Sequence, residues 1–367
     1  METKPGEIFA NSVLPDDKLA DLPNSAGLVF FTDIENRPIA LLTAANIKRA
    51  AKTKLAEKIE HNKRADLKSI TAKIYYTPCR CKFRLAVKHL ETAKKIFGQN
   101  YKDHIKLVFP WFIKTDLSEN IPAFSVTKRP IFKNTEEILG PFPGQKSATT
   151  FLKTLEDTFR LCKRSDLVNN PSKSQSCPYL QMDACVGVCG GRISQPDYLN
   201  LIKQAFDSGA NPAQAIENFQ TQMQSASKEL NFEKAARLKK SIEKLAALQK
   251  QSYKWTTDLK NLKIVHIDKS FKIKPEGAKK KVQTHAVFVM NFSNIIDLGD
   301  FPADNPDLIF EKINAALDSL TISSVNTSDE IIERFSIVSY FLYRSKPSGL
   351  WLDASSGIDQ QEIIKLK

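Results

Sequence analysis

Three cysteines, Cys177, Cys185 and Cys189, fall within the stretch CPYLQMDACVGVCGG, and a fourth, Cys162, lies upstream in FRLCKRSD. The chain has six cysteines in all, so most of its sulfur chemistry is gathered here. The spacing is C-x14-C-x7-C-x3-C. Four thiolates brought together satisfy either a tetrahedral zinc ion or a four-iron cluster. Zinc ribbons use paired knuckles, whereas here Cys185 and Cys189 form the one close pair and the other two approach separately. Glycines after Val186 and after Cys189 let the backbone come close to a bulky centre and turn N–H groups toward its sulfurs. The competing reading is a set of inert buried thiols. Spacing alone leaves zinc and iron both open.

The rest of the chain sets the context. Its 367 residues are 42% hydrophobic, enough for two to four modules at roughly 100–200 residues each. The N-terminus METKPGEIFANSV lacks the apolar core of a secretory signal. No apolar run approaches the roughly 18 residues of a membrane span. A cytoplasmic protein without a membrane partner is expected, and a reducing compartment moves clustered cysteines toward metal binding. The formal net charge of +13 suits a polyanionic partner such as DNA. No nucleotide-binding glycine loop is present. The five histidines (His61, His89, His104, His266 and His285) show no paired metal spacing and read as ordinary surface or core residues.

The expected fold class is α/β multidomain. Residues 1–25 read as a polar lead-in. AGLVFFTD and RPIALLTA suggest a β-hairpin, and residues 45–66 are Ala- and Lys-rich and helical. SITAKIYYTP alternates as a strand, and residues 84–98 read as a helix stopped by Gly98. This β-β-α-β-α order makes residues 1–100 a small α/β domain. Residues 101–210 form a strand-rich linker plus the cysteine region, with a helix over 150–164 started by Thr149 and Thr150. Residues 211–250 carry two short apolar seams, Ile216, Phe219, Met223, Ala226, Leu230 and then Ala235, Leu238, Ile242, Leu245, Leu248. They predict an antiparallel helical hairpin turning at a left-handed Asn231. Residues 255–367 form a second small α/β unit. Its strands are LKIVHID, THAVFVMNF and GLWLD, and its helices start near Pro306 and Ser328.

Together these residues resemble the bacterial excision-repair family UvrC. The matches are Gly140-Pro141-Phe142, Arg160 with Cys162, Cys177-Pro178-Tyr179, Cys185 with Cys189, and Ile193-Ser194 with Tyr198. The segment with Met223, Ala226, Leu230, Phe232-Glu233, Ala235-Ala236 and Ile242 is similar to the family's UVR motif. The resemblance implies a 4Fe-4S cluster on Cys162, Cys177, Cys185 and Cys189, with zinc as the alternative. The gap between Cys162 and Cys177 is longer than is usual in the family, filled by the loop-like LVNNPSKSQS. It implies a UvrB-type partner on the hairpin, contacted through Met223, Leu230, Phe232, Glu233 and Ala236. It also implies DNA as substrate, for which Lys48, Arg49 and Lys52 are the candidate contacts.

The family begins with a GIY-YIG nuclease domain, whose tyrosines, arginine and metal-binding glutamate cut DNA with Mg²⁺. Residues 26–98 fit its element order, but Val29 and Ala40 stand at the tyrosine positions and Ala50 at the arginine. Leu42 and Thr43 replace the glycine and lysine, and Glu91 lies near the glutamate position. The expectation is a degenerate GIY-YIG-like domain without incision activity, with Glu91 a weak catalytic candidate. The chain stops before the family's RNase H-like and helix-hairpin-helix domains would begin. The alternatives are an active single-incision nuclease, which alone needs Mg²⁺, and a cluster-bearing redox regulator.

Overall fold

The computed structural model describes residues 5–15, 19–56, 67–164, 177–274, 280–321 and 327–364. Three four-stranded antiparallel sheets and the helices between them make a mixed α/β architecture.

The first sheet contains β1 (Asn11–Val13), β2 (Gly27–Thr32), β3 (Pro38–Ala44) and β4 (Lys73–Pro78), in the order β1-β4-β2-β3. All six residues of β2 are buried, because both faces of the sheet are covered. On one face Val29, Phe31 and Ile74 pack against Ile47, Ala51 and Leu55 of helix Ile47–Ala56. On the other, Leu28, Phe30 and Tyr75 meet Phe9 and Leu85. The expected lead-in is therefore partly structured: β1 pairs with β4, and Phe9 and Leu22 are core residues. The helix expected over 45–66 is seen to Ala56, and residues 57–66 lie outside the described residues. The first residues of the expected strand SITAKIYYTP fall instead in a short helix, Leu67–Ile70.

Helix Lys82–Phe97 follows and ends at Gly98, whose φ of 51° is the left-handed stop a glycine supplies. It is shared between two cores. Leu85 faces the first sheet, while Phe83 and Leu90 enter the core of the third.

The second sheet has the order β6-β5-β7-β8, from β5 (Trp111–Asp116), β6 (Ser125–Thr127), β7 (Glu136–Phe142) and β8 (Thr257–Asp258). The cysteine region and the helical hairpin are thus inserted between two neighbouring strands, β7 and β8. Helix Gln145–Phe159 begins several residues before the expected Thr150, directly after the Pro143-Gly144 turn. Its Phe151, Leu152, Leu155 and Phe159 pack with Tyr198, Ile202, Ala205 and Phe206 of helix Gln195–Ala210.

The third sheet has the order β11-β10-β9-β12, from β9 (Ile264–Ile273), β10 (Val282–Met290), β11 (Ile295–Pro302) and β12 (Leu350–Asp353). Strand alternation sends Ile264, Ala286, Phe288, Met290 and Trp351 to one core, beneath helix Ser328–Leu342. It sends Val265, Ile267, Val287 and Val289 to the other, beneath helix Pro306–Ser319. Strand β11 was not expected from the sequence. None of the described helices is long and apolar enough to cross a membrane.

Candidate metal centre and docking hairpin

Helix Gln145–Phe159 delivers the first cysteine. Arg160 takes the left-handed conformation (φ 53°), which ends the helix and turns Cys162 aside. The same residue then holds the loop that carries Cys185. Its guanidinium donates to the Asp183 carbonyl and pairs with the Asp183 carboxylate, each at 2.6 Å. Its carbonyl accepts the Val186 N–H at 2.8 Å. The Cys162 N–H donates to the buried Tyr198 hydroxyl at 3.3 Å. Cys177 caps the short helix Pro178–Gln181 and packs with Leu180 and Cys185. Gly187 has φ 76°, and a Cβ there would approach Leu180 Cδ1 to 2.7 Å, so the turn between Cys185 and Cys189 requires glycine.

The four sequence-selected cysteines thus come into one region. Cys177 and Cys185 are buried, and Cys162 and Cys189 half-buried. Burial pushes the Cys162 thiol up to about 11, and the neighbouring Cys189, Cys185 and Cys177 sulfurs add to the effect. Burial also raises Cys185, with Cys189 and Cys177 acting in the same direction. Residues 165–176, most of the connection between Cys162 and Cys177, lie outside the described residues.

In the first sheet, Val29 is 0% exposed and packed among aliphatic side chains. Ala40 lies opposite Phe31, and Leu42 opposite Val29. Tyr76 of β4 is also directly opposite Val29, so it shares the same sheet face. Glu91 is exposed on helix Lys82–Phe97. Lys48, Arg49 and Lys52 share helix Ile47–Ala56. The Lys48 ammonium is tied to the Ala20 carbonyl at 2.9 Å, while Arg49 and Lys52 are exposed.

The hairpin is formed by helices Pro212–Lys228 and Phe232–Ala246. Asn211 and Asn231 cap them, each accepting a backbone N–H three residues on. The left-handed residue of the turn is Leu230 (φ 59°), not Asn231, which is occupied as the cap. The base of the hairpin is held by Ala215, Leu245 and Leu248 in the second core and by Lys244, which donates to the Asp157 carbonyl at 2.7 Å. Its tip is not: Leu230 is 73% and Phe232 64% exposed. Met223, Ala235 and Ala236 line a shallow groove on the hairpin behind the tip. Glu233 is exposed in the first turn of the second helix.

His266 is a core residue, as the sequence expectation allowed, and it has two donor neighbours. A ring nitrogen of His266, the Cys81 sulfur and a carboxylate oxygen of Asp268 lie within 4.8 Å of one another. Only the short patterns CRC and HID hinted at such a set, and nothing in their spacing joins them.

Residues 109–208 match the family profile described as UvrC/Cho excinuclease, middle domain, and residues 214–248 match the UvrB/uvrC motif. The chain is thus similar to UvrC proteins. The UvrABC system protein C of Methanothermobacter thermautotrophicus is 24% identical over 269 residues, covering 68% of this chain and 42% of that protein. That of Rickettsia akari is 26% identical over 253 residues, covering 66% and 37%. That of Syntrophus aciditrophicus is 31% identical over 134 residues, covering 35% and 21%. The chain therefore spans about two-fifths of the length of the first two relatives. No solved structure matches it.

Proposed function

We propose that this chain is a nucleotide-excision-repair protein that binds DNA and docks a UvrB-type partner through the tip of its hairpin, without cutting DNA itself. The observation that carries the reading is the contrast between a packed hairpin base and an apolar tip. Leu230 and Phe232 are largely exposed where the UVR match is centred. An exposed aromatic beside charged groups has the character of an interface anchor, since few residues supply most binding energy.

The cysteine quartet supports a 4Fe-4S cluster. Its donors are four thiols, which ferrous and ferric iron and zinc all accept. Arg160 and Tyr198 fix the main chain on either side of the thiols, and Gly187 leaves room for the turn. When bound, such a cluster supplies structural cross-linking and an electron-transfer capacity. The packed Val29 and the aliphatic Ala40 and Ala50 support the absence of a nuclease centre in the first sheet.

Phe232→Ala tests the docking role. A stapling Phe buried between the two helices would cost about 3–5 kcal/mol of folding stability on truncation. The exposed tip instead predicts a near-normal melting temperature, with binding to UvrB weakened by at least about 2 kcal/mol. Wild-type affinity for UvrB in this variant overturns the docking role.

A further inference from the structure

We propose that Cys81, His266 and Asp268 form a second metal site, independent of the cysteine quartet, that takes zinc and clips the N-terminal unit to the third sheet. The three donors come from two distant parts of the chain. Cys81 is the residue that caps helix Lys82–Phe97, and His266 and Asp268 are alternate residues of β9 that share one face. Their ligand atoms all lie within 4.8 Å of one another. Cys81 and His266 are both 0% exposed.

His266 supplies the independent sign of a missing ligand. Its Nδ1 faces the Leu350 carbonyl at 3.1 Å. A carbonyl only accepts, so Nδ1 carries the proton and Nε2 keeps its lone pair. Nε2 is buried and has no hydrogen-bond partner. A buried polar atom left alone is costly, and metal-binding histidines are oriented by this kind of bond from the other nitrogen to a backbone carbonyl. The ring is also held in place by stacking on Trp351, with centroids 3.8 Å apart, and by an edge contact with Phe83. Burial lowers the imidazole to about 4, so the neutral, ligating form is the one present near neutral pH.

Cys81 is equally committed. Its sulfur accepts the Arg84 N–H at 3.5 Å at the start of the helix, where the backbone favours a thiolate. Burial pushes the thiol up to about 12, and the nearby Asp268 and Cys79 act in the same direction, so a bound cation would take the place of its proton. Asp268 is half-buried and completes the set on the side nearer solvent. Thiolate, imidazole and carboxylate together select a borderline cation, and zinc accepts all three in tetrahedral geometry with water in the fourth position.

The test measures zinc and iron per chain in the whole protein, for the wild type, Cys81→Ser and Asp268→Asn. Asp268→Asn is nearly isosteric at a half-buried position, so it keeps the fold even if the core variant does not. The expected result is one zinc lost from both variants while the iron content is unchanged. Zinc competition against a chromophoric chelator should show at least a tenfold loss of affinity in Asp268→Asn, with an unaltered circular dichroism spectrum. Wild-type protein that takes up no such zinc, or Asp268→Asn that binds it as tightly as wild type, overturns the proposal. If the quartet holds iron, its metal is followed by the iron content; if it holds zinc, the wild type carries two zinc ions and each variant one, so the loss of one zinc is the readout in either case.

Discussion

Tyr198 is 1% exposed, yet its hydroxyl accepts the Cys162 N–H at 3.3 Å. Tyr198→Phe leaves that amide without a partner, at a cost of about 1–3 kcal/mol. The expected outcome is a lower melting temperature and less iron per chain, because the Cys162 backbone is released. Anaerobically purified wild type is expected to be brown, and Cys185→Ser to lose the colour. A colourless wild type holding zinc on the quartet would rule out the cluster. At this scale the four cysteines were legible because their types and crowding are unusual. The clamp by Arg160 was not, since it depends on a left-handed backbone and on a contact with Asp183 in a different loop. The Cys81, His266 and Asp268 set was hidden more deeply, because each residue has an ordinary local context.

Glu333 shows how elements hold one another. It is a buried carboxylate on helix Ser328–Leu342, and Lys94, Lys102 and Tyr101 all reach it from the other side of the interface. Burial acts to raise its pKa, but the hydrogen bonds from Lys94, Tyr101 and Lys102 outweigh it and hold the carboxyl below its ordinary 4.5. A folded-state value below the unfolded one means that its stabilisation is complete above about pH 4.5 and is lost as pH falls through the folded value. Glu333→Gln should therefore lower stability at pH 7 by about 1–3 kcal/mol and flatten the acid limb of the pH–stability curve. Urea unfolding at neutral and acid pH checks both; equal losses at the two pH values would contradict the ionic role. Most elements of this kind were readable from periodicity, including Lys82–Phe97 with its Gly98 stop. The misses have local causes. Backbone conformation set the start of Gln145–Phe159 after Gly144, and capping took Asn231 out of the turn and left Leu230 there. Strand β11 carries Asp297, Gly299 and Asp300, which weakened its strand pattern but gives Arg84 its partners.

Those partners join the ends of the molecule. Arg84 binds Asp297 through two bonds of 2.6 Å and Asp300 through one of 2.5 Å, and Phe83 sits among Phe288, Phe341 and Trp351. No local sequence pattern encodes such an apposition, so it was not readable from the sequence. The assembled chain carries a net charge of +13, which predicts DNA retention that weakens steeply with salt as phosphate contacts release counterions. Retention without cutting is the expected behaviour. A lesion-containing duplex incubated with this protein, UvrA, UvrB and Mg²⁺ should remain intact, because activating water and stabilising phosphate charge need polar groups that Val29, Ala40 and Ala50 do not provide. Two residues stand nearest to a rescue. Tyr76 lies across from Val29 on the same face, and Glu91 is exposed on the helix that follows β4. Robust incision that disappears in Tyr76→Phe or Glu91→Gln would give the first sheet a nuclease centre and overturn the non-cutting role. Incision that survives both changes would also overturn that role and move the cutting residues away from Tyr76 and Glu91.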